Sequence, residues 1–383
     1  MEKKLHFHLP IKFLLSLVIP AMIWGCIDPV TPEYELKEGL FFVEGFASTE
    51  PGASFVIIKE SAFEFGFYVT NFVKGARVSF INSSTREEVE LSELIGTYIP
   101  PPDFRVAPGA SWELDIVLEN GTNYRSAPEL VLEPVPIVDL EVVYDPELAF
   151  REINGGKFIP GHEVLVSFDD PANRKNFYYW TYRTFENLDF CEKCYNAVFR
   201  DGECQSLPLS LQSAPYYDYT CESDCWRIRF PEGITIYDDE FSDGKSVSKF
   251  SIGELLLYTK ENMVVEVQQF TLTPSAHKYY KVLKDIVDNN RSLNAPPPSA
   301  LVGNLFNPND PEDFIFGRFT AAASAVRSMF IERTFISEQP LETMEAAVLE
   351  PTLNSPLPPP PTTTAPCSET RFRTAIIPDG WVD

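Results

Sequence analysis

Histidine is almost missing from this chain of 383 residues: there are four, and only His162 and His277 lie beyond position 25. Histidine is the side chain that most often moves protons near neutral pH, so its scarcity leaves little material for chemistry that depends on imidazole. His162 sits in a Gly-His turn and His277 at the start of a helix; neither stands in a recognised triad spacing, and both are expected at the surface. Phosphate-cradling loops are missing too, with no G-x-G-x-x-G and no Walker lysine motif. Basic charge is scarce: 31 lysines and arginines stand against 56 acidic residues, for a formal net charge of −25. That balance opposes binding to nucleic acid or anionic headgroups. Beyond Met22 no apolar run reaches membrane-spanning length.

What is present begins at the N-terminus. Lys3, Lys4 and Lys12 accompany an apolar run from Ile11 to Met22, interrupted by Pro20, which is the pattern of a secretory signal peptide over residues 1–25. Ile23-Trp24-Gly25-Cys26 then sets a small residue directly before a cysteine, the pattern of a lipoprotein cleavage site, so Cys26 is expected to be acylated and to become the new N-terminus. Three acyl chains anchor durably at roughly 0.8 kcal/mol per buried methylene. Cleavage removes three lysines and one glutamate, which moves the formal charge from −25 to −27. Residues 26–37, with Pro29, Pro32, Asp28, Glu33 and Glu35, read as an extended tether.

Six further cysteines follow: Cys191, Cys194, Cys204, Cys221, Cys225 and Cys367. An even number in an exported chain predicts disulfides, with Cys367 tying the C-terminal tail back to the cluster. Cys191-x-x-Cys194 and Cys221-x-x-x-Cys225 also resemble paired zinc knuckles. Disulfides are preferred because the thiols cross an oxidising space; the pairing stays open among 15 possibilities.

Strands recur at intervals of roughly ten residues: Leu40 to Phe46, Phe55 to Ile58, Arg77 to Ile81, and Trp112 to Leu118 ahead of the tight-turn dipeptide Asn120-Gly121. This predicts an immunoglobulin-like β-sandwich over residues 38–133. A second, larger β-sandwich-like domain is expected over 134–348. Its strands start at Ile137 and run through Glu163 to Phe168, the aromatic Phe177 to Tyr182, and Met263 to Val267. Residues 190–226 form a disulfide-stapled insertion. One helix is expected from Pro274 to Asp288, capped by Thr273, with Tyr279, Val282, Leu283, Ile286 and Val287 on one face. Phe314 to Phe319 and Met329 to Ile331 close this second domain. Residues 349–383 are a proline-rich connector and tail. The fold class is mainly β.

Candidate chemistry is thin. Asp238-Asp239-Glu240 with Asp243-Gly244 invites a calcium reading, yet Phe241 takes a ligand position and no glutamate closes the loop, so the turn is read as solvated. Asp169-Asp170 reads as a turn and not as half of a glycosidase pair. The aromatic run Phe177 to Tyr182 is read as core before sugar-stacking surface. No catalytic residue, metal or cofactor is assigned.

Four ordered motifs carry a resemblance: Phe42-Val43-Glu44-Gly45; Gly96-Thr97-Tyr98 with Asn120-Gly121-Thr122-Asn123-Tyr124-Arg125-Ser126; Asp170-Pro171 with Asn176-Phe177-Tyr178-Tyr179; and Gly303-Asn304, Asn307-Pro308, Asp310-Pro311-Glu312 with Gly317-Arg318-Phe319-Thr320-Ala321. In this set the chain resembles the Bacteroidota lipoprotein family catalogued as domain of unknown function 4249. The resemblance implies an outer-membrane or cell-surface lipoprotein, held by its lipid anchor, that partners a TonB-dependent outer-membrane transporter and assists capture or gating of its cargo. It supplies no catalytic residues. A surface hydrolase using a carboxylate pair and a structural adhesin are the rival classes.

Overall fold

Inward turns of alternate residues build the first layer pair. The computed structural model describes residues 38–152, 156–208, 210, 212–289, 301–341, 346–351 and 362–382; the expected signal peptide, Cys26 and the tether lie outside them. Strands run in the order Leu305–Phe306, Asn123–Ser126, Ser111–Val117, Arg77–Asn82, Glu88–Leu94, Thr97–Ile99, Phe55–Glu64, Phe41–Ser48 and Phe316–Ala322. Glu88–Leu94 pairs with Arg77–Asn82 through its first half and with Thr97–Ile99 through its second, so one strand carries the sheet from one layer to the other. Val43, Val56, Ile58, Val78, Phe80, Leu114 and Ile116 meet in one buried cluster.

This sheet takes in chain from far beyond position 133. Phe316–Ala322, expected to close the second domain, lies parallel to Phe41–Ser48, with Val43 opposite Gly317 and Gly45 opposite Phe319. Periodicity marks a strand but not the sheet it joins, which is why the sequence misplaced it. At Gly317 φ is +102° and a Cβ would lie 1.8 Å from the Val43 carbonyl oxygen, so only glycine fits. Several of the ordered motifs meet here. The Asn304 side chain donates to the Phe319 carbonyl and accepts from its N–H, at 2.9 and 3.0 Å. Tyr124 and Asn307 both donate to Asp313 at 2.8 Å.

The second sandwich packs the three-stranded sheet Ile137–Arg151, Lys157–Asp169 and Ser246–Leu256 against a sheet built from Ser324–Ile331, Met263–Thr271, Phe177–Asn187, Trp226–Arg229 and Arg373–Thr374, with Thr235–Asp238 beside Phe177–Asn187. Phe168, Tyr178, Trp180, Val166, Val265 and Val267 share its core; the aromatic run is core, as the sequence indicated. The tail strand Arg373–Thr374 extends this sheet, and Trp381 packs edge-on against Trp226 and Phe330.

The helix Pro274–Asn289 is the one helix among the described residues, and no described helix is long and apolar enough to cross a membrane. Thr273 caps it, accepting from the Ala276 N–H at 3.2 Å, and Pro274 occupies the position where a missing N–H costs nothing. Its buried face is Ala276 and His277, while Val287, expected inside, is exposed. The helix packs where the sandwiches meet, against Phe46, Phe177, Phe270, Leu272 and Ala322.

Both histidines depart from expectation. His162 lies inside the strand Lys157–Asp169 and is buried against Tyr144; His277 is buried and stacked 4.5 Å from Phe177. A polar ring in an apolar setting is invisible to periodicity. The cysteine-rich insertion is also more regular than expected, with Phe190–Tyr195, Tyr216–Cys221 and Thr364–Ala365 in one sheet and Ala197–Arg200 hairpinned to Glu203–Ser206.

Candidate functional site

A cleft of 480 Å³ opens in the second sandwich, between Phe177–Asn187, Ser246–Leu256 and the segment after Trp226–Arg229. Its floor is Glu186, buried on the central strand. Arg333 Nη1 meets Glu186 Oε1 at 3.0 Å and Arg229 Nε meets Oε2 at 3.2 Å, so two guanidinium groups share one carboxylate. Arg333 also donates to the Thr259 carbonyl at 3.0 Å, while its Nε is buried without a hydrogen-bond partner. Burial pulls the Arg333 pKa below the usual guanidinium value, and Glu186 opposes this. Nearer the mouth, Tyr258 lies under the Arg229 guanidinium at 4.4 Å and donates to Glu232 at 2.7 Å, and Arg151 reaches Glu232 at 3.1 Å. Burial, with the Glu232 hydrogen bond, pushes the Tyr258 hydroxyl up to about 12. Two guanidinium groups against one carboxylate leave the floor with a net positive charge, while Arg151 and Glu232 pair nearer the mouth, a polarity suited to a small ligand with an anionic end.

A second feature stands on the first sandwich. Phe55–Glu64 and Phe67–Phe72 form a hairpin closed by Phe65 and Gly66, both at positive φ, 51° and 87°. A two-residue turn of this kind wants Asn-Gly; a phenylalanine in the left-handed region costs roughly 1–2 kcal/mol. Phe65 is 98% exposed and Phe67 73%, with Phe63 half exposed beside them. Phe65, almost fully exposed, buries next to nothing in the fold.

The six cysteines predicted to be oxidised form three disulfides: Cys191–Cys221, Cys194–Cys204 and Cys225–Cys367. Cys367 does tie the tail to the insertion, and the buried pair Arg200 and Glu350, 2.5 Å apart and joined by Tyr219, holds the segment before it. Cys26 lies outside the described residues. Asp170 and the Asp239 to Asp243 turn, read separately in the sequence, converge. Sequence reasoning missed the cleft because Glu186 and Arg333 stand 147 positions apart in no motif. The hairpin tip did leave a signal, Phe63-Glu64-Phe65-Gly66-Phe67, aromatic residues crowded around a turn glycine.

Comparison with curated proteins and with solved structures finds no match for this chain. A family model matches residues 27–328, a span that takes in all four of the ordered motifs and every strand of the first sandwich. With most of its length inside that match, the chain belongs to the family described as Domain of unknown function (DUF4249).

Proposed function

We propose that this protein is a lipid-anchored accessory of the outer membrane or cell surface that docks on a TonB-dependent transporter and assists capture of its cargo. The observation that carries the reading is the phenylalanine-tipped hairpin: Phe65 and Phe67 stand in solvent at the end of a strand pair, one of them in an unfavourable backbone conformation. Exposed aromatic side chains of this kind are the usual anchors of protein interfaces. Acylation at Cys26 would confine the molecule to a surface and raise its effective concentration beside a membrane partner. The cleft above Glu186 and Arg333 is the place for cargo, a small polar molecule with an anionic end. Acidic surface would be steered toward basic loops, so association slows as salt rises.

The experiment is a mild-detergent pull-down through a C-terminal tag, paired with membrane fractionation of a Cys26→Ser variant. Release of Cys26→Ser from the membrane fraction supports the anchor; an unchanged membrane pool after a high-salt wash defeats it. Co-purification of an outer-membrane barrel supports the docking role, and its absence at low salt defeats that role independently.

A further inference from the structure

Three carboxylates gather at one end of the second sandwich. Asp170 follows the strand Lys157–Asp169, while Asp239 and Asp243 lie in the turn after Thr235–Asp238. One oxygen from each lies within 4.8 Å of the others. Asp170 is 5% exposed and Asp239 4%, so two carboxyl groups are buried side by side. Oδ1 of Asp170 accepts from the Tyr178 hydroxyl and, at 3.2 Å, from the Asn176 amide. Its Oδ2 is buried and has no well-formed hydrogen bond, with only the Gly244 N–H near the carboxylate, and Ser242 Oγ in the neighbouring turn is buried without a partner. Asp239 Oδ2 accepts from the Asn176 N–H at 2.6 Å and Asp243 Oδ1 from the Asn173 N–H at 2.8 Å.

Among the described residues no lysine, arginine or histidine makes an ion pair with any of the three. Buried charge without a counter-charge is strongly unfavourable, so the arrangement calls for either a proton or a positive ion. The spacing says what kind. Oxygens bound to one calcium ion at 2.3–2.6 Å lie no farther apart than about 5 Å, which the three carboxylates satisfy. An orphaned Asp170 oxygen, already denied water by burial, is the ligand atom such an ion would take up first.

We propose that Asp170, Asp239 and Asp243 form a calcium site that fastens the turn 239–244 to the end of the strand Lys157–Asp169. The ion supplies the missing charge, and the Tyr178 and Asn176 hydrogen bonds hold the Asp170 carboxylate in place to meet it. The sequence shows only two separate acidic turns, 69 positions apart from Asp170 to Asp239, and neither alone has the ligands.

The full chain, stripped with chelator, is titrated with calcium chloride by calorimetry at physiological ionic strength, with magnesium chloride in a parallel titration. Terbium is the second probe, because Tyr178 sits against Asp170 and would sensitise its luminescence. One calcium ion per chain, a raised thermal midpoint and sensitised terbium emission are expected. Asp170→Asn removes the buried ligand. Asp243→Asn changes the exposed one, leaves the Tyr178 contact intact, and decides the matter if the first variant fails to fold. Asp243→Asn should weaken calcium binding, by about tenfold or more, because affinity follows the number of charged ligands, and should not lower the midpoint of the ion-free protein. The proposal is overturned by any of three results: no saturable binding, preference for magnesium, or calcium binding that Asp243→Asn leaves as tight as before.

Discussion

Arg318 and Glu129 form a buried ion pair, Nη2 to Oε2 at 2.6 Å, between the crossing strand Phe316–Ala322 and the end of the first sandwich. Thr273, the helix cap, donates to the other Glu129 oxygen at 2.5 Å, and Ser275 accepts from Arg318 at 3.0 Å. One carboxylate therefore joins the first sheet, the strand that returns to it and the helix between the two sandwiches.

Removing one partner leaves the other charge buried. Glu129→Ala is expected to lower unfolding stability by about 3–5 kcal/mol, read by denaturant titration. Arg318→Ala should cost a similar amount, and the double variant less than the two together, because the second change removes a charge that the first left stranded.

How much of this was legible in sequence can be judged at the same joint. The sequence marked Phe314 to Phe319 as strand, and Pro274 and Thr273 marked the helix start. Neither signal says that the strand pairs with Phe41–Ser48, since pairing is decided by packing over hundreds of residues. Glu186 with Arg333, and Asp170 with Asp239, were hidden for the same reason. His162 and His277 were misjudged because a histidine looks polar in sequence yet can lose its charge and stack. The cysteines fared better: an even set in a chain read as exported pointed to disulfides before any geometry was known.

The tail should depend on its staple. Cys225 and Cys367 are 142 positions apart, and a loop of that length contributes on the order of 4–5 kcal/mol in the chain-entropy treatment. The double serine variant is expected to fold with a lower midpoint and to expose residues 362–382 to limited proteolysis. A tail equally protected in the variant would mean that the Arg373–Thr374 strand and Trp381 hold it without help.

Acid should weaken the fold through His162. Burial, with Arg333 nearby, lowers its pKa from 6.5 to about 4. The unfolded chain therefore takes up this proton at higher pH than the folded one, so stability is complete above 6.5 and declines as pH falls toward 4. Burial lowers the His277 pKa as well, adding in the same direction. His162→Phe should flatten the decline measured by denaturant midpoints between pH 7 and 4, while an unchanged slope would place the titration elsewhere.

Phe65→Asn converts the hairpin turn to the residues its geometry favours. It is expected to raise stability by up to about 1 kcal/mol, since an exposed side chain is replaced and a backbone strain relieved. A loss of stability would show that Phe65 serves the fold.

The docking claim is tested most directly by capture from membranes solubilised in mild detergent at low salt, comparing the tagged wild type with Phe65→Asn at equal membrane loading. The account predicts that an outer-membrane β-barrel transporter co-purifies with the wild type and that Phe65→Asn recovers far less of it. No barrel with the wild type, or equal recovery with both, would contradict it.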